Sequence, residues 1–146
     1  MKMSNGQCPM TNKIQMSKCQ MTNNKYDLGE RTSKFSEEII RLCKTLPVNL
    51  ITTPLITQLI RSATSIGANY CEADNAESRK DFKHKITICN KEAKETKYWL
   101  KILIVTVPEF EENIVYLKKE ATEFILIFSK IILSTKRNMN SRHLNI

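Results

Sequence analysis

Apolar residues recur along this chain in four blocks at alternating steps of three and four, the spacing that stacks side chains on one face of an α-helix. Leu28, Phe35, Ile39, Leu42 and Leu46 mark the first predicted helix. It opens at Asp27 with Glu30 three residues on, a capping box, and Pro47 stops it. Leu55, Leu59, Ala63, Ile66, Tyr70 and Ala73 mark the second, with Thr53 as predicted N-cap and Pro54 at the first helical position. Phe82, Ile86, Cys89, Ala93, Thr96, Leu100 and Leu103 mark the third, capped by Ser78 and Asp81, on the order of 40 Å long and ended by Pro108. Ile114, Leu117, Ala121, Phe124, Phe128 and Ile131 mark the fourth, from Glu109 to Ser134. The β-branched run Ile102 to Val107 competes for a strand, but the seam continues through Leu103 and no partner strand exists. Short connections between four amphipathic segments predict an all-α fold, an antiparallel up-down-up-down four-helix bundle.

The third helix carries a second seam. Ile88, Glu92, Glu95, Trp99 and Ile102 repeat at the same steps, roughly 100° around the cylinder from the core seam. A bundle helix needs one buried stripe, so the second predicts another partner surface, most simply a second copy of the chain. A wide core face in a monomer is the alternative. On the far face of helix two, Arg61, Ser65, Ala68 and Glu72 align at steps of four, three and four, a polar strip suited to the same contact. Arg61 is placed to meet Glu92 or Glu95, within the chain or across an interface. The row Ala63, Gly67, Cys71 permits a close helix approach, inside one bundle or between two, although a mid-helix glycine costs roughly 1 kcal/mol relative to alanine.

Charge changes the picture once it is sorted by segment. The chain holds 23 Lys and Arg against 15 Asp and Glu, a formal +8. Residues 1–26 carry Lys2, Lys13, Lys18 and Lys25, residues 135–146 carry Lys136, Arg137 and Arg142, and neither has an acid, so the ends hold +7 of the +8. The predicted organisation is therefore a disordered basic leader (residues 1–25), a nearly neutral bundle (26–134) and a basic C-terminal tail (135–146). The leader has an approximate repeat, Cys8-Pro-Met-Thr-Asn-Lys and Cys19-Gln-Met-Thr-Asn-Asn-Lys, too short and polar to bury a core. Met10 and Met21 lie within it, so translation can begin downstream of Met1.

Catalytic and metal chemistry find little support. A di-iron bundle needs Glu-x-x-His on two helices pointing inward. Here only Asp81 and His84 have that spacing, with His84 far from the core seam. The thiol of Cys89 has no basic partner on its face, and the glycines at 6, 29 and 67 form no phosphate loop. No enzyme activity, metal or cofactor is expected. Five cysteines without CxxC spacing point to a reducing compartment, and no membrane span or secretory h-region is present, so the expected location is cytoplasmic.

The feature that suggests a partner is a lysine stripe. Lys80, Lys83, Lys91, Lys94, Lys97 and Lys101 fall within a sector roughly 120° wide on helix three, with no acid among them. Asp81, Glu92 and Glu95 lie on the opposite flank. A solvated face is the ordinary meaning of such a stripe; with basic ends nearby it also suits a track for phosphates.

The run from Gln58 to Ala73, Gln-Leu-Ile-Arg-Ser-Ala-Thr-Ser-Ile-Gly-Ala-Asn-Tyr-Cys-Glu-Ala, has a wider resemblance, as do Ser78, Asp81-Phe82, Lys85 and the stretch Lys91 to Leu100. Together with Tyr26-Asp27-Leu28, Arg31 and Leu46-Pro47, these residues resemble the bacterial four-helix-bundle family first described as proteins encoded in intervening sequences of large-subunit ribosomal RNA genes. The accessory variability determinant of diversity-generating retroelements is similar. The resemblance covers residues 26–134 and implies a homo-oligomer, a five-fold ring of bundles, that engages nucleic acid and, in the retroelement case, a reverse transcriptase. Two acidic places depart from a nucleic-acid surface: Asp74 and Glu77 after helix two, and Glu109, Glu111 and Glu112 at the start of helix four. A protein-only adaptor whose second seam docks another polypeptide is the competing functional reading.

Overall fold

Asp27 begins the first helix as the sequence requires. In the computed structural model, which describes residues 27–143, its Oδ1 accepts the backbone N–H of Glu30 at 3.0 Å and α1 runs Leu28–Thr45. The Glu30 side chain turns outward to Lys34, one turn on, at 3.2 Å. The leader assigned to residues 1–25 lies outside the described residues.

The second helix, α2, spans Thr52–Asp74, and its expected start is corrected. Ile51 occupies the N-cap position and supplies no side-chain bond, while Asn49 does the capping. Its Oδ1 accepts the N–H groups of Ile51 and Thr52 at 2.9 and 3.0 Å, and Thr52 Oγ1 donates to the Pro47 carbonyl at 2.6 Å. These bonds satisfy the free donors one residue before Thr53, and Pro54 falls inside the first turn, where a missing N–H leaves nothing unpaired.

Ser78 Oγ accepts from the Asp81 N–H at 3.0 Å to start α3, Arg79–Thr106, which stays helical through the β-branched run. A single 3-10 turn, Pro108–Phe110, leads into α4, Glu111–His143. That helix continues past Ser134 because residues 135–143 contain neither glycine nor proline to stop it. Among the described residues there is no strand, and the architecture is the four-helix antiparallel bundle.

The predicted seams converge on one core. Phe35, Ile39, Leu59, Ala63, Ile66, Ile86, Cys89, Ala93, Leu100, Leu103, Ile114, Leu117, Ala121, Phe124 and Phe128 are almost wholly buried, and the outer members Leu28, Leu55, Tyr70, Phe82 and Ile131 pack against them half-buried. The packing is uneven. Helix α3 lies between α2 and α4 with an extensive face on each, α1 leans on α2, and α1 touches α4 only sparingly. The α1–α4 seam is held by Phe35 edge-on to Phe124, centroids 5.3 Å apart, and by Arg31, whose Nε and Nη2 meet Glu120 at 2.5 and 2.9 Å.

Buried hydroxyls are each bonded, as low dielectric demands. Thr96 donates to Ser62 Oγ at 2.9 Å across α3 and α2, and Ser36 Oγ reaches the Ala63 carbonyl at 3.2 Å across α1 and α2. The small-residue row serves that second approach within the bundle. A Cβ on Gly67 would stand 3.6–3.7 Å from Thr32 atoms of α1, ordinary contact distance. Gly67→Ala is therefore expected to fit and to stabilise the chain by up to about 1 kcal/mol, the helix-propensity difference. A fall in the denaturation midpoint would show that α1 sits closer than that.

Candidate nucleic-acid interface

Two side-chain contacts fix how α3 is turned. Asn90 Nδ2 donates to Ser129 Oγ of α4 at 3.3 Å, and Arg61 of α2 pairs with Glu92 and Glu95. The lysine flank therefore faces along α4 and the second seam along α2. Lys80, Lys91, Lys94 and Lys101 are exposed, and Lys83 and Lys97 are half-buried. Among the described residues, none of these six lies within ion-pair distance of a carboxylate. Lys85, on the other flank, shows the contrast. Its Nζ bonds Glu72 of α2, which holds its pKa above the usual lysine value. The stripe thus keeps its ammonium groups out of direct ion pairs, although Lys91 acts through space on Glu95, while Lys85 is committed to Glu72.

The register set by Asn90 and Ser129 extends the field onto α4, which no reading of α3 alone could find. Two turns back along α3 and two turns on along antiparallel α4 stand Lys83 and Lys136; three turns the other way stand Lys101 and Lys118. Between these ends the α4 line runs Thr122, Ile125, Ser129 and Ile132, without an acid. Lys136 and Arg137, assigned from sequence to a loose tail, are carried on the helix. The acids Glu109, Glu111 and Glu112 are confined to one end of this face, and Asp74 and Glu77 lie at the other end of the bundle, next to α2.

The residues expected at a subunit contact form a polar strip between α2 and α3 of one chain. Arg61, itself exposed, donates from Nη1 to Glu92 at 3.4 Å, from Nη2 to Glu95, and from Nε to Gln58 at 3.1 Å. Trp99 Nε1 also donates to Glu95, at 3.1 Å. The guanidinium first and the indole N–H second hold the Glu95 carboxyl below the usual carboxylate range. Of the two placements open to Arg61, the chain realises the internal one. Ile88, Glu92, Glu95, Trp99 and Ile102 are all half-buried, and Trp99 packs partly against the core. Ser65, half-buried, accepts from Asn69 Nδ2 at 3.0 Å, and Glu72 is exposed with Lys85 as its partner. The strip is closed toward the chain on one side and open toward solvent on the other.

Burial alone pushes the Cys43 thiol up to about 11, and burial first among several causes pushes Cys89 up to about 12, so neither supplies a thiolate near neutral pH. His84 is exposed, and among the described residues no three His, Cys, Asp or Glu side chains are grouped to hold a metal ion. No described helix is long and apolar enough to cross a membrane.

Fold and surface together define a small all-α bundle whose third helix carries a lysine flank. Residues 24–130 match the family of 23S rRNA-intervening sequence proteins, and the chain belongs to that family. It is also similar to a crystal structure from Bacteroides thetaiotaomicron described as a protein with unknown function from the S23 ribosomal protein family. That likeness has 36% identity and a TM-score of 0.62, and it covers 71% of this chain and 96% of that one. No curated relative matches the chain.

Proposed function

We propose that this chain is a non-enzymatic, cytoplasmic, homo-oligomeric bundle that binds RNA electrostatically through the lysine face of α3 and α4. The observation that carries this reading is the run of six α3 lysines with no carboxylate at ion-pair distance among the described residues, prolonged by Lys118 and Lys136 of α4. Such a face attracts phosphates by counterion release and reads little sequence. Membership of a family named for ribosomal RNA intervening sequences supports RNA as the polymer. In a ring, five by the resemblance, each subunit would add its face to a shared basic surface, while the solvent side of the Arg61, Ser65, Glu72 and Trp99 strip would meet the next subunit. A reverse transcriptase partner rests on the retroelement resemblance alone.

One observation favours the protein-adaptor reading. The ends of α1 and α3 lie at the same end of the bundle, where Val48, Leu50, Ile51 and Val105 stand 81%, 97%, 67% and 82% exposed. An apolar tip held in shape by the Asn49 bonds suits a protein contact. Light scattering and RNA titration together separate the readings. The wild type is expected as an oligomer at micromolar concentration, with Trp99→Ala shifting the mass downward while helicity is retained. It is expected to bind RNA at about 50 mM salt and to release it as salt rises. A monomer would remove the assembly, and no RNA or DNA binding at low salt would leave the adaptor reading in its place.

A further inference from the structure

An exposed aromatic ring stands inside the lysine stripe. Tyr98 lies one turn from both Lys94 and Lys101 on the same face of α3, two turns from Lys91, and is 53% exposed. Its ring meets Trp99 edge to face at a centroid distance of 5.0 Å and an interplanar angle of 72°. Trp99 is in turn held by its bond to Glu95 and by packing against the core. Tyr98 is thus an aromatic ring braced on one side and open on the other, with ammonium groups before and after it along the helix. What sets Tyr98 apart from the exposed Tyr116 is its place between lysines on one helix face.

Resting on the RNA reading above, we propose that the α3 face takes single-stranded RNA in preference to duplex, with one unpaired base stacked on Tyr98 while Lys91, Lys94 and Lys101 hold the neighbouring phosphates. Duplex RNA hides its base faces in the stack and offers a lysine track only its backbone. An unpaired strand offers both, and stacking on one aromatic side chain is worth about tenfold in affinity, tolerant of sequence because every base has a π-face. The geometry divides the work. The lysines set the salt dependence and Tyr98 sets the choice between strand forms.

The test uses the full chain with an unstructured RNA of mixed sequence and a duplex of equal length, followed by anisotropy and by emission of Trp99, the single tryptophan. The wild type is expected to bind the single strand about tenfold more tightly than the duplex, with Trp99 emission changed only by the single strand. Tyr98→Leu is expected to bring the single strand down to the duplex affinity, to leave duplex binding and the salt slope unchanged, and to abolish the emission change. Tyr98→Phe, which keeps the ring, is expected to behave as wild type. Equal affinity of the wild type for both forms, or an unaffected Tyr98→Leu, would overturn the stacking role and leave the electrostatic reading standing. A parallel loss of both forms with a change in oligomer mass would overturn it too, by placing Tyr98 in assembly. Failure of the wild type to bind either RNA would overturn both.

Discussion

Lys83→Glu combined with Lys94→Glu is expected to lower RNA affinity on the order of a hundredfold, with assembly and helicity unchanged. Both side chains stand on the flank whose lysines have no carboxylate partner among the described residues, so their reversal breaks no internal ion pair. Each lysine that neutralises a phosphate contributes about one to the slope of log affinity against log salt, so the double variant should lose roughly two from that slope besides gaining repulsion. Lys85→Glu is the matched control. It lies on the same helix but is committed to Glu72, so its reversal costs an internal pair and little RNA affinity. Deleting residues 1–25 should weaken binding only modestly, because the four lysines of that segment are outnumbered by those of the α3 and α4 face. Titration of each variant at two salt concentrations checks this. Unaltered binding after the double reversal would take α3 out of the interface and leave the chain ends as the source.

How much of this was legible in the sequence follows from the reach of each signal. Periodicity and caps are local, so the seam of α3, the stop at Pro47 and the Ser78 cap emerge from the residue order alone. Capping of α2 by Asn49 does not, because Thr53 followed by Pro54 is the commoner signature and an Asx turn with Thr52 forms the competing set of bonds. The end of α4 lies beyond Ser134 for a related reason. A basic composition marks charge and not helix breakage, and nothing between residues 135 and 143 interrupts the backbone pattern.

The candidate site divides in the same way. Six lysines on one sector of α3 follow from counting degrees around a single helix. Lys118 and Lys136 require the register between two helices, which Asn90 and Ser129 settle and which no single-helix pattern contains. Tyr98 is within reach of the same count, since it lies one turn from Lys94 and Lys101, but its exposure and its contact with Trp99 need the structure. The second seam shows where sequence logic divides. Its helical spacing is real, yet Arg61 meets Glu92 and Glu95 inside the chain, so half of what calls for a partner surface is met by α2.

Phe124→Ala is expected to remove about 3–5 kcal/mol of stability, the range for emptying a fully buried aromatic site. The ring is wholly buried, stacks on Phe128 at 5.9 Å and 15°, takes the edge of Phe35, and lies 5.1 Å below the Arg31 guanidinium. Those last two contacts, with the Arg31 to Glu120 pair, join α1 to α4. Against a total stability of about 5–15 kcal/mol this is a large share, lowering the melting temperature by roughly 10–15 °C. The loss should also be uneven. With Phe124 gone, α1 keeps its packing on α2 but loses the aromatic part of its sparse contact with α4, leaving the two-point Arg31 to Glu120 pair. Amide exchange in α1 is therefore expected to accelerate before that in α3, which keeps broad faces on both neighbours. Denaturant unfolding followed by circular dichroism gives the first quantity and hydrogen exchange gives the second. A cost below about 1 kcal/mol, outside the range for such a site, would mean that the seam between α1 and α4 is not packed around this ring.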